Sequence, residues 1–188
     1  MDFFARPADV VAPLLLNAVL THDGVSLRIT EVEAYLGIND PASHAARGLT
    51  NANAALFGPP GHLYVYHSYG IHKAGNIVAH PHGESGGVLI RAGEIVAGQD
   101  VAKQRRGQVA PHKLASGPGN VGKALGLLID DNSTPISLNS RGAFSLELPA
   151  QPAEFVSGPR IGITKNPEAP LRFWILGERT VSGRKTPI

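Results

Sequence analysis

Apolar and polar residues alternate with a period of two along much of this chain, the spacing of strands with one covered face. The longest such run, residues 25–35, puts Val25, Leu27, Ile29, Glu31, Glu33 and Tyr35 in one row, so two carboxylates continue an apolar stripe. Residues 18–21 supply a partner strand across His22, Asp23 and Gly24, because Asp-Gly between two apolar runs favours a tight hairpin turn. Ahead of them, Pro7, Asp9, Val10, Val11, Leu14 and Leu15 predict an opening helix that Pro13 keeps short. Strands are expected at 62–69, closed by Gly70, at 73–80 as its partner, and at 88–91 as a short buried segment. Others are expected at 144–148, 160–164 and 171–176. Residues 37–60 read as a long loop of small polar residues, and another loop follows Arg91. Ser116 to Gly119 then lead into a short helix over 120–127. No internal repeat or linker interrupts the pattern. The expectation is one α+β domain over 1–188, with a curved, mostly antiparallel β-sheet and flanking helices.

Composition narrows the chemistry. The 188 residues are 43% hydrophobic and 17% charged, with 22 Gly and 15 Pro, which describes an ordered, turn-rich globule. Absence of cysteine removes disulfides, thiol nucleophiles, iron–sulfur clusters and cysteine zinc sites. No run reaches the roughly 18 apolar residues of a membrane span, and the first 20 residues lack a basic leader, so a cytoplasmic protein with no membrane partner is expected. Net charge is only +2, but it is uneven. Residues 1–60 hold three Arg against six acids, and the remainder carries the basic excess. Lys103, Arg105, Arg106, Lys113 and Lys123 fall in a stretch without acids, a footprint suited to a polyanion or simply a solvated surface.

Among candidate reactive groups Glu33 stands first, since a carboxylate on an apolar strand face loses water and needs a cation or a reacting partner. The plain alternative leaves Glu31 and Glu33 at the strand's wet end. All four tyrosines, Tyr35, Tyr64, Tyr66 and Tyr69, lie close in sequence with His44, His62, His67 and His72 among or beside them. Such rings suit stacking on nucleobases, and they equally suit ordinary packing. Tyr64 and Tyr66 share one face of their strand while Val65 and His67 share the other. The histidines show no His-Glu-x-x-His spacing, so no metal site is expected, and a His-dependent metallohydrolase is the weakest reading. There is no Gly-x-Ser-x-Gly elbow and no P-loop.

Several ordered segments together resemble the alkyladenine (3-methyladenine, N-methylpurine) DNA glycosylase family. They are Glu-Ala-Tyr-Leu-Gly at 33–37, Ser43-His44, Phe-Gly-Pro-Pro-Gly-His-Leu-Tyr-Val-Tyr at 57–66, Tyr69-Gly70, Asn76-Ile77, Leu-Ile-Arg at 89–91, Ser-Gly-Pro at 116–118 and Pro-Arg-Ile-Gly-Ile at 159–163. The resemblance implies a monofunctional hydrolase that needs no cofactor. It would act as a monomer on double-stranded DNA containing damaged purines, at the nucleoid if bacterial, extruding the base and cutting its N-glycosidic bond with water. By position Glu33 matches the carboxylate that activates this water, Arg91 a residue that holds the water and a nearby phosphate, and Ile161 a backbone contact to the water through its carbonyl. Tyr35, His44 and Tyr66 match residues enclosing the extruded base, and Asn76 the residue that disfavours guanine. Tyr69 matches a DNA-intercalating residue on a protruding β-hairpin. Thr50-Asn-Ala-Asn53 departs from the family's Arg-containing segment. The reading from another class is a noncatalytic nucleic-acid-binding module of the same fold.

Overall fold

The computed structural model describes residues 2–68 and 70–183. Its first helix, α1 (Ala8–Leu14), starts after Pro7 and buries Ala8, Val11 and Ala12, the face set by the apolar spacing. The strands β1 (Val19–His22) and β2 (Val25–Tyr35) follow as a hairpin. Its two-residue turn has positive φ at both Asp23 and Gly24, the conformation that matches strand twist.

Next come β3 (Leu63–Ser68), β4 (His72–Val78) and β5 (Gly87–Ala97). Helices α2 (Gln99–Arg106) and α3 (Pro118–Leu125) precede β6 (Ile136–Leu138), β7 (Phe144–Glu147), β8 (Val156–Gly158) and β9 (Arg172–Trp174). Among the described residues these strands form one sheet in the order β3-β4-β5-β2-β1-β7-β6, with β9 bridging β2 and β8. Only β6 and β7 pair in parallel. Residues 63–68 and 72–78 do form an antiparallel hairpin, while Tyr69 lies outside the described residues.

Several expectations need correction. Residues 160–164 are irregular, and the strand lies earlier, at β8. The segment expected as four residues around Arg91 is the eleven-residue β5, and a helix, α2, occupies part of the loop expected after it. The 37–60 segment is not a plain loop. It contains 3-10 turns at Gly37–Asn39, His44–Arg47 and Ala54–Phe57, and it buries Ala45, Ala55 and Leu56 with Tyr64 and Val78 in a small second core.

The single row proposed along β2 also fails, for a reason that matters to the site. The main core takes Val25, Leu27 and Ile29, then Val32 and Ala34, so its phase changes from odd to even positions. Register against β5 shifts between Ile29 and Glu31 and again between Glu31 and Val32. A bulge moves every later side chain to the opposite face. Gly93 opposes Ile29 at this place, where any Cβ would collide with the Arg28 carbonyl. Glu31 and Glu33 therefore leave the apolar row, yet both stay fully buried, which excludes the wet-end alternative.

Candidate active site

The phase change turns Glu33 toward groups contributed by two other segments. Its Oε1 accepts the Ile161 backbone N–H at 2.7 Å and lies 3.2 Å from an Arg91 guanidinium nitrogen supplied by β5. Its Oε2 accepts the Tyr35 hydroxyl at 2.9 Å. Burial pushes the Glu33 carboxyl above the ordinary carboxylate range, opposed by the Arg91 charge and by the two donors, and reinforced by Glu31. Every one of these donors favours the ionised form, against the burial that disfavours it. The same charge, after burial itself, drives the Tyr35 hydroxyl up, so Tyr35 stays protonated and donates.

Tyr35, Arg91 and Ile161 form part of the wall of a cavity of about 420 Å³; Glu33 lies directly behind them. His44, Tyr64, Tyr66 and Asn76 line it as well. Thus seven of the eight residues singled out from sequence converge on one place, and the eighth, Tyr69, is outside the described residues. The Ile161 backbone N–H is the atom that bonds Glu33. Tyr64, grouped with the other tyrosines from sequence but given no role by the resemblance, shares its strand face with Tyr66; the two rings stack at 5.5 Å. His44 stands edge-on to Tyr66 at 4.5 Å and shares a hydrogen bond between its Nδ1 and the Tyr64 hydroxyl, 2.9 Å. Burial lowers the His44 pKa, so the ring is neutral at neutral pH, and burial raises the Tyr64 hydroxyl to about 12. Aromatic rings thus dominate one wall of the cavity, with the paired Glu33 and Arg91 charges at another, an arrangement that suits a flat ring. Asn76 is pinned by its side-chain N–H to the Tyr64 carbonyl at 3.1 Å.

Supports for these groups were invisible in the sequence. Arg160 is buried, forms a bidentate ion pair with Asp40, donates to the Ala34 carbonyl and stacks on the Tyr35 ring at 4.6 Å. It thereby fixes Tyr35 from below and the backbone just before Ile161. Burial raises the Asp40 carboxyl, but the Arg160 bonds and the Ala42 N–H outweigh it and the net shift is downward. Asn53 donates to the carbonyls of His44 and Gly48 and accepts from the Thr50 N–H, so the departing Thr50-Asn-Ala-Asn53 segment holds the His44 turn. Arg160 and Asn53 fall inside segments quoted from the sequence, but nothing in those segments names the partners they find.

A wider groove of about 880 Å³ adjoins the cavity through His44, Tyr64, Tyr66 and His67 and carries Arg47, Asn51 and Lys165 on its wall. The basic stretch after Val101 is used differently. Arg105 braces Ala124 and Asp23, and Arg106 holds the Leu114 carbonyl, so these two arginines tie α2 to its neighbours. Among the described residues no group of three His, Asp or Glu comes together as a metal site, and no helix is long and apolar enough to cross a membrane.

The sequence profile of the Methylpurine-DNA glycosylase (MPG) family matches residues 2–179. Curated relatives provisionally assigned as 3-methyladenine DNA glycosylases are similar over nearly their whole length. The protein of Corynebacterium efficiens is 58% identical over 182 residues, 97% of this chain and 94% of that one. That of Corynebacterium glutamicum strain ATCC 13032 is 57% identical over 97% and 95%. The Cutibacterium acnes protein is 50% identical over 97% and 98%.

Proposed function

The chain belongs to the methylpurine-DNA glycosylase family, DNA-repair hydrolases of N-glycosyl bonds, and from that premise we propose that it releases alkylated purines such as 3-methyladenine through Glu33. The damaged nucleotide is extruded from the duplex and its base enters the cavity between Tyr35, His44 and Tyr66. Glu33, ionised, takes a proton from a water as the water's oxygen forms a bond to the sugar C1′. The C1′–N bond breaks, its electron pair goes to the purine, and an abasic site remains. A cationic methylated purine leaves as a neutral base, so one carboxylate suffices where ordinary glycosidases use two. Arg91 steadies the Glu33 charge and points into the same cavity, where it can meet a phosphate. Asn76 disfavours the exocyclic amino group of guanine, and Tyr69 fills the gap in the duplex.

The observation that carries this reading is the buried Glu33 carboxylate held by Arg91, Tyr35 and Ile161 behind an aromatic cavity. Replacing Glu33 by Gln keeps the shape and removes the base. Duplex carrying 3-methyladenine should still bind, while base release, scored as alkali-labile strand breaks in EDTA buffer, falls by about a hundred- to ten-thousandfold. Undiminished release by E33Q would remove the central role of this carboxylate.

A further inference from the structure

Behind the Glu33 site runs a segment, residues 180–183, that begins where the family match ends at residue 179. It is tied down from one end to the other. Thr180 and Thr30, both buried, share a hydroxyl–hydroxyl hydrogen bond of 2.8 Å, and Val181 is buried beside them. Ser182 then uses all of its polar groups. Its N–H donates to Glu31 Oε2 at 2.6 Å, and its carbonyl accepts from Arg172 at 2.7 Å. Its Oγ accepts from Arg91 at 3.3 Å. Gly183 follows with φ of 64°, and a methyl group there would overlap the Ile161 side chain.

Through Arg91 this segment reaches one of the groups that hold Glu33, and Gly183 lies against the side chain of the residue that supplies another. Arg91 divides its nitrogens among Glu31 at 3.3 Å, Ser182 and Glu33, and Ile161 supplies the N–H on Glu33 Oε1. Glu31 itself is compensated by the Arg172 guanidinium at 2.6 Å, so an internal charge cluster of two carboxylates and two guanidiniums is closed by the Ser182 backbone. Uncompensated charges in such a place are costly, and the Ser182 N–H helps to compensate Glu31. We propose that residues 180–183 form a positioning strap for the active site: Ser182 sets Arg91 against Glu33, Gly183 leaves room for the Ile161 side chain, and neither touches the DNA. The inference rests on Glu33 being the base.

The test uses the full chain with S182A, S182T, G183A, E31Q and E33Q, measured by single-turnover release of 3-methyladenine from duplex across pH, with the melting temperature of each variant. S182A loses the Oγ contact and nothing else, and G183A drives Cβ against Ile161. Each is expected to lower the plateau rate by about tenfold while the half-saturating enzyme concentration changes by less than about threefold; S182T, which keeps the hydroxyl, stays within about twofold of wild type. E31Q removes a negative charge that faces Glu33 together with Tyr35 from β2, Arg91 from β5 and the Ile161 N–H. Its acid limb should move to lower pH, a change that a merely structural residue would not produce. Plateau rates for S182A and G183A within about twofold of wild type overturn the strap, whatever happens to the melting temperature. If G183A does not fold, S182A decides alone. Wild-type release by E33Q sinks the reading of Glu33 as base, and the strap with it; an inactive E33Q beside unaltered S182A sinks only the strap.

Discussion

Replacing Tyr35 by Phe removes one oxygen from the site and leaves the ring. The lost group donates at 2.9 Å to Oε2 of Glu33, a fully buried carboxylate, from a half-buried ring on the cavity wall. A hydrogen bond to a charged, buried acceptor is worth about 1.5–3 kcal/mol. Because the hydroxyl favours ionised Glu33 over the protonated form, most of that energy bears on its ionisation. At 1.4 kcal/mol per tenfold, ionisation becomes about ten- to a hundredfold harder. Burial already holds this carboxyl high, and losing a donor moves it further the same way. The reacting form is the ionised one, so the acid limb of the rate profile shifts to higher pH while the rate above it recovers toward the wild-type plateau. The ring, still stacked on Arg160 at 4.6 Å, keeps its part of the base-binding wall. Single-turnover release of 3-methyladenine between pH 5 and 9 would show this. An acid limb that stays in place while the rate drops equally at every pH would refute the coupling between Tyr35 and Glu33.

Glu33→Gln should be at least as stable as wild type at neutral pH: the folded-state pKa lies above the unfolded one, so native protein binds the extra proton and stability falls as pH rises between the two. Thermal melting should show the advantage of E33Q at neutral pH and its disappearance in acid; a variant less stable at pH 8 than at pH 5 relative to wild type contradicts it. Asp40→Asn strands the buried Arg160 charge and should cost about 3–5 kcal/mol in urea unfolding. In wild type the depressed Asp40 pKa adds stability above the ordinary aspartate range, and that share is lost as pH falls through the folded value. His44, held neutral by burial, gains a proton only below the usual histidine range. Affinity of E33Q for 3-methyladenine duplex should therefore weaken in acid more than that of E33Q/H44Q; equal pH dependence would exclude His44 as the cause.

The extended strand over 25–35 with its alternation as far as Ile29, the Asp-Gly turn, the Pro-led first helix and the paired strands around Tyr64 are local properties, set by side-chain period and backbone preference, and the sequence by itself determined them. It also determined the short motifs that resemble the family, and with them Glu33, Tyr35, His44, Tyr66, Asn76, Arg91 and Ile161. What periodicity could not contain is the bulge after Ile29, because register depends on how β5 meets β2 and on the space left at Gly93. That shift decides which face Glu33 takes. Helix α2 was missed for a similar reason: six of its eight residues are polar, Val101 and Ala102 alone are too few to make a periodic stripe, and the helix is held by Ala102 in the core and by Arg105 and Arg106 bonding to carbonyls outside it. Asp40 with Arg160, Asn53 with His44, and Ser182 with Glu31 lie far apart or in unremarkable stretches of chain. Only tertiary structure brings such groups together, since a buried charge finds its partner wherever the fold places one, and nothing in the spacing of residues says where that will be.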